Sequence, residues 1–140
     1  MRVFVDTNLW VYRLDRRQPE RTRIISRWLR ALAGEHDIVI STQVMIELRS
    51  VLTRKLAPAF SPADVRVALE ALANFEVVVT HPNLVLDAHE LANAERLSWF
   101  DALIAEAALR SHCEILYSED FQHGQRLSGR LLVQNPFLES

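Results

Sequence analysis

Cysteine is almost missing from this 140-residue chain, where Cys113 stands alone. One thiol excludes an intrachain disulfide and any zinc site built from several cysteines. Glycine is scarce as well: Gly34, Gly124 and Gly129 are too few and too scattered for a phosphate-cradling loop. No apolar run approaches the ~20 residues that cross a bilayer, so no membrane partner is expected. The opening Met1-Arg2-Val3-Phe4-Val5-Asp6 turns acidic too soon for a secretory signal, and the cytoplasm is the expected location. The five histidines show no metal-ligand spacing of the HExxH kind.

What is present looks ordinary in bulk. Hydrophobic residues make up 49% and charged residues 24%, the usage of a soluble globular protein. One domain over residues 1–140 is the expectation from length. The net charge is −2, but the cations are skewed: Lys55 is the only lysine beside fifteen arginines. Arginine's forked donors suit phosphate and permit a nucleic-acid partner. A GC-rich genome produces the same skew with no function attached.

Short β-rich runs alternate with helical patterns along the chain. Val3-Phe4-Val5 stops at the polar turn-formers Asp6-Thr7-Asn8. Residues 20–33 repeat apolar groups at helical spacing (Ile24, Ile25, Trp28, Leu29, Leu32), and Gly34 is the expected stop. Ile38-Val39-Ile40 is the next strand, and residues 43–56 the next helix, ended by Pro58. Ser61-Pro62-Ala63-Asp64 reads as a capped helix start. A strand at 77–79, helices at 84–96 and 99–111, and strands at 115–117 and 131–133 complete the series. The alternation predicts an α/β fold, a three-layer α/β/α sandwich with a mostly parallel central sheet. Such sheets bind ligands beyond the carboxyl ends of their strands, so the polar residues there carry the functional question.

Four acids stand out. Asp6 follows the first strand and Asp120 the fourth. Each alone suits a turn or a helix cap. Together they put two carboxylates at one edge of the sheet. Glu47 lies three residues after Val44 and four before Val51, on the core-facing stripe with no obvious i+4 cation. A carboxylate there must be paired, coordinated or protonated, unless it sits at the stripe's edge and reaches water. Asp101 shares the apolar side of its helix with Ile104 and Ala108. Ser98-Trp99-Phe100-Asp101 equally fits a capping box. Metal would unite the four, because converging carboxylates repel until a divalent cation such as Mg²⁺ or Mn²⁺ neutralises them. Two such ions can activate a water and stabilise the leaving oxygen of a phosphodiester. Setting aside four ligand acids also moves the net charge from −2 to +2.

These segments resemble a known family. Phe4-Val5-Asp6-Thr7-Asn8, Ser41-Thr42-Gln43-Val44-Met45-Ile46-Glu47, Ser98-Trp99-Phe100-Asp101-Ala102-Leu103-Ile104 and Leu116-Tyr117-Ser118-Glu119-Asp120-Phe121 are similar, in order and spacing, to the motifs of PIN-domain nucleases. The ending Val133-Gln134-Asn135-Pro136-Phe137 is similar to that of many members. The resemblance implies a metal-dependent endoribonuclease, most like the VapC-type toxins of bacterial type II toxin–antitoxin pairs. It implies that Asp6, Glu47, Asp101 and Asp120 bind Mg²⁺ or Mn²⁺. Thr7 and Ser118 then assist ligands or the attacking water, and Asn8 orders the first loop. It further implies a homodimer, a cognate antitoxin partner, and RNA products with 5′-phosphate and 3′-hydroxyl ends. Glu119, beside Asp120, reads as a solvated neighbour or an outer-sphere ligand.

Arg13, Arg16 and Arg17, just beyond Asp6, are candidate contacts for RNA phosphates. Trp10 and Tyr12 are read as either base-stacking or packing groups. Other strand-end machines fit poorly: a receiver domain wants a lysine after a late strand, and a haloacid-dehalogenase-type phosphatase wants Asp-x-Asp where this chain has Asn8. The surviving alternative is a catalytically silent PIN-like module that binds RNA or protein without cutting.

Overall fold

The computed structural model describes residues 1–138, so the last two residues of the expected domain lie outside it. In chain order the elements are β1 (Arg2–Val5), α1 (Thr7–Leu14), α2 (Pro19–Glu35), β2 (Asp37–Ser41), α3 (Thr42–Arg54), α4 (Pro62–Ala73) and β3 (Glu76–Val78). There follow α5 (Pro82–Glu95), α6 (Trp99–Arg110), β4 (Ile115–Tyr117), β5 (Arg126–Leu127) and β6 (Leu131–Gln134). The six strands form one sheet ordered β3-β2-β1-β4-β6-β5. Every pairing is parallel except β5 with β6. Helices flank this sheet, as the alternation predicts.

The strand sequences explain the sandwich. Val3, Phe4, Val5, Val39, Ile40, Leu116 and Val133 have no exposed surface. Strands apolar at consecutive positions bury both faces, which requires helices on both sides. Each side chain so buried contributes roughly 1.5–3 kcal/mol. Leu9, Ile25, Leu48, Leu72 and Leu84 bring the helices onto this core.

Several local expectations change. Asp6-Thr7-Asn8 is not a free turn: Asp6 caps α1, and Thr7 and Asn8 are its first residues. A helix of eight residues is marginal alone, and burial of Leu9 and Trp10 holds it. Asn8 therefore sits in a helix rather than ordering a loop. Gly34 does not stop α2, which runs on to Glu35. Ile24, counted among the apolar set, is exposed. The third strand begins one residue early, at Glu76, and leaves Val79 outside it. The two-residue β5 escapes prediction because nothing so short has a readable period.

Chain order places a topological switch at the centre. β1 pairs with β2 on one side and β4 on the other, and the chain reaches β4 only after building the β2-β3 half. The crevice at such a point, outside the carboxyl ends of the strands, is where open parallel sheets bind ligands.

Candidate active site

Asp6 occupies that crevice because β1 ends at Val5 and Val5 pairs with Tyr117. Its amide donates to the Tyr117 carbonyl at 3.0 Å, as though the ladder ran one residue further. The side chain is buried, 4% exposed. Its Oδ1 accepts from the Thr7 amide and its Oδ2 from the Ser118 hydroxyl, both at 2.7 Å. Burial pushes its pKa up to about 7, and the charges of Asp120 and Glu47 push the same way against those two hydrogen bonds.

Glu47 stands half-buried on α3, which starts directly after β2 with the Ser41 side chain as cap. Its Oε1 accepts from the Thr7 hydroxyl at 2.6 Å, so Thr7 alone holds two acids, Asp6 through its amide and Glu47 through its hydroxyl. Its Oε2 accepts from Gln43 at 3.2 Å, and the same amide nitrogen donates to the Phe100 carbonyl at 3.2 Å. Gln43 thereby ties α3 to the residue preceding Asp101. Sequence reasoning missed this role, although the i, i+4 spacing from Gln43 to Glu47 was available to find it.

Asp101 is half-buried at the third position of α6. Ser98 caps the helix, its hydroxyl accepting from the Asp101 amide at 3.4 Å. The reciprocal bond from carboxylate to cap amide, formed by Asp64 in α4, is not made by Asp101 among the described residues. Its carboxylate is thus free of the full capping box. Burial raises its pKa; the Ser98 hydroxyl opposes this, and the charges of Asp120 and Glu47 reinforce it.

Asp120 is exposed beyond β4, in a loop fastened by Ser118. The wholly buried Ser118 hydroxyl donates to Asp6 and accepts from the Asp120 amide at 3.0 Å, joining the two strand ends through one oxygen. Glu119 points elsewhere. It accepts from the Tyr12 hydroxyl at 2.7 Å and pairs with Arg21 at 2.9 Å. Arg21 lies over the rings of Tyr12 and Phe137, at 5.0 and 4.5 Å. Tyr12 and the ending at Phe137 therefore serve this packed cluster. Trp10 is buried against Phe75, with its indole nitrogen donating to the Val5 carbonyl at 3.1 Å. It has no face to offer a base.

The three candidate arginines differ. Arg17 closes on Asp15 with two bonds of 2.9 Å. Arg13 is half-buried over Trp10, 5.0 Å from its ring, and Arg16 is exposed. Arg17 alone of the three lines the acid-bearing cleft of about 580 Å³, beside Thr7, Asn8, Glu47 and Asp120. Both side-chain amide atoms of Asn8 are buried without a hydrogen-bond partner. Such orphaned groups are costly unless a ligand or water meets them.

The four acids share one trait. None forms an ion pair among the described residues, whereas the adjacent Asp15 and Glu119 both do. Oxygen donors at one crevice that form no ion pair among the described residues suit a hard divalent ion in chemistry. In spacing they remain open: among the described residues no group of three or more His, Cys, Asp or Glu side chains is closed tightly enough to hold a metal ion. Nor is any described helix long and apolar enough to cross a membrane.

Comparison with known proteins agrees with this architecture. No match was found among curated protein sequences. Among solved structures, a toxin–antitoxin complex from Klebsiella pneumoniae is similar with a TM-score of 0.70 and 18% identity, over 96% of this chain and 97% of that one. A VapBC complex from Rickettsia felis, bound to a DNA fragment from its promoter, gives 0.68 and 20%, over 96% and 98%. A sarcin-ricin loop cleaving VapC toxin from Mycobacterium tuberculosis gives 0.55 and 21%, over 84% and 89%. At these identities the likeness is one of fold. The PIN domain family model matches residues 3–125, a span that runs from the first strand past all four acids, and the chain belongs to the PIN-domain family.

Proposed function

We propose that this protein is a divalent-metal-dependent endoribonuclease, the toxin of a type II toxin–antitoxin pair. The observation that carries the reading is the set of carboxylates at the switch point with no ion-pair partner among the described residues, in a fold where neighbouring acids are neutralised by arginine. Asp6, Glu47, Asp101 and Asp120 would hold Mg²⁺ or Mn²⁺, Asp6 central, Glu47 and Asp101 completing one position and Asp120 shaping a second. When bound, the metal would activate a water and stabilise the leaving oxygen of the phosphodiester.

The chain's own residues supply the positioning. Ser118 fixes one oxygen of Asp6 and the backbone of Asp120 together, so the two strand ends move as one. Thr7 sets the Glu47 carboxylate, and Gln43 holds it in step with the start of α6. Near neutral pH Asp6 retains its proton in a large fraction of molecules, a proton it surrenders when a cation replaces it. Glu119 stays out of coordination, since Arg21 already neutralises it and the Tyr12 hydroxyl holds its other oxygen.

The antitoxin and a second copy of the chain are the proposed protein partners. The fold-level relatives from Klebsiella and Rickettsia were solved as toxin–antitoxin and VapBC complexes, which supports the first. Exposed Ile46 on α3 and Phe100 on α6, on elements joined by the Gln43 hydrogen bond, support an apolar contact between copies.

Incubating the purified protein with RNA and Mn²⁺ tests the reading. Cleavage stopped by EDTA and by Asp6→Asn, with 5′-phosphate ends, is the expected result. Calorimetry showing no carboxylate-dependent Mn²⁺ binding would leave the silent binding module in its place.

A further inference from the structure

We infer that a second cleft, between the end of α1, the α3–α4 connection and α4, is a subsite for single-stranded RNA flanking the cleaved phosphate. The inference rests on the nuclease reading above. This cleft measures about 720 Å³, within the ~300–1,000 Å³ of ordinary ligand pockets. It adjoins the acid-bearing cleft directly, for Asp15, Arg17, Lys55 and Leu56 line both. A strand seated at Glu47 and Asp120 therefore has a continuous path past Lys55 into it.

Its charge is uneven in a telling way. Both acids on its lining are already engaged, Asp15 with Arg17 and Asp64 with the Ser61 amide in the α4 capping box. Arg13, Arg16 and Lys55 also line it, and none of them has an ion-pair partner among the described residues. Arg16 senses Asp64 only at longer range. Unmatched cations thus gather at the exit of a site whose substrate would be a polyanion. Apolar groups share the lining with them: Phe60 is half-buried, and Val67 of α4 is 66% exposed.

Unpaired cations and exposed apolar surface in one cleft suit a single strand, which offers phosphates and unstacked bases together. Duplex RNA keeps its bases stacked inside and would leave the apolar surface uncovered. An acidic peptide offers similar chemistry, but continuity with the proposed hydrolytic crevice favours the RNA.

The test uses the full chain, Mn²⁺ and a single-stranded RNA oligonucleotide with one cleavage site. Arg16 and Lys55 are exposed, so the double variant Arg16→Ala/Lys55→Ala keeps the fold. Its KM is expected to rise about ten-fold at low salt, and the slope of log KM against log salt to fall by about 1.4, ~0.7 for each lost phosphate contact, with kcat changed less than about two-fold. Val67→Glu should raise KM in the same direction. Arg66→Ala, which removes an exposed arginine paired with Glu70 elsewhere on α4, is the control. KM and slope matching that control while cleavage persists would remove the cleft from the RNA path and leave the nuclease reading intact. Altered binding of a co-purified protein with unchanged KM would make it a protein-docking face instead. No cleavage of any RNA by the unaltered chain would overturn both readings together.

Discussion

The two ends of the sheet treat their acids in opposite ways. At the amino end, Arg2 of β1 grips Glu76 of β3 through both terminal guanidinium nitrogens, while its Nε donates to the Ser111 carbonyl at 2.7 Å. That guanidinium holds the Glu76 carboxyl below its ordinary range. At the carboxyl end Asp6 is more deeply buried, has no guanidinium, and is pushed up to about 7. Pairing at one end is ordinary surface stabilisation. Leaving a buried acid unpaired at the other is a standing electrostatic cost, and such costs concentrate where a ligand relieves them. An acid beside a strand is thus a weak signal in itself, and its lack of a cation in the folded chain is the stronger one.

Neutralising the unpaired end should give the largest effect. Asp6→Asn keeps the cap and the bond from the Thr7 amide but removes the charge. Cleavage should fall by about a thousand-fold or more, the several kcal/mol attributed to metal-assisted charge stabilisation. The metal-free protein should melt at an equal or higher temperature at pH 8, because no carboxylate has to ionise in the core. Asp101→Asn should behave alike. If Asp101 served only the helix cap, its variant would stay active and melt slightly lower, so paired activity and melting measurements separate the two roles.

The same contrast predicts two opposite pH dependences. Asp6 titrates near 7 when folded and near 3.8 when unfolded, so its contribution to stability is intact below about pH 4. It is lost as pH rises towards 7 and is constant beyond. Glu76, held low by Arg2, contributes above its unfolded value of 4.5 and loses that contribution as pH falls through its lowered folded pKa. Melting curves of the metal-free protein should therefore show a decline from pH 4 to 7 that Asp6→Asn flattens. Apparent Mn²⁺ affinity should weaken about ten-fold for each pH unit below 7, as one proton competes with the ion. An affinity independent of pH from 5 to 8 would remove Asp6 from the ligands.

Much of this is legible in the sequence. The alternation of apolar strands with amphipathic helices specified the layers, since each strand is buried on both faces and reads as a continuous run. Asp6 and Asp120 are legible because strand ends of a parallel sheet share one edge, and Ser118 through the family resemblance. The helical nature of Thr7–Leu14 is not, because a helix this short owes its existence to Leu9 and Trp10 entering a core the sequence does not display. The fate of individual charges was hidden for the same reason. Arg17 folds back on Asp15 two residues away, while Arg21 reaches Glu119 across 98 positions. Gln43 belongs to both worlds: its bond to Glu47 follows helical spacing, and its bond to Phe100 exists only in the tertiary structure.

A middle-sized effect should come from the threonine that couples the acids. Thr7→Val keeps shape and removes the hydroxyl that donates to Glu47 at 2.6 Å. A hydrogen bond to a charged group contributes about 1.5–3 kcal/mol, so activity should drop roughly ten- to a hundred-fold. Gln43→Leu, which frees the other Glu47 oxygen, should lower activity further in combination, and by more than the product of the single effects if both hold one rotamer.

The smallest effect belongs to the paired end. Arg2→Ala releases Glu76, but that carboxylate is 51% exposed and can turn to water. Exposed pairs are worth about 0–1 kcal/mol, and salt weakens them further. The melting temperature should therefore fall by only a few degrees, and the loss should shrink at high salt. Cleavage should match the unaltered chain, because Arg2 stands at the opposite end of β1 from Asp6. If Arg2→Ala instead lowered activity as Thr7→Val does, the two ends of the sheet would be coupled through β1, and the unpaired acids could no longer be treated as a locally built site.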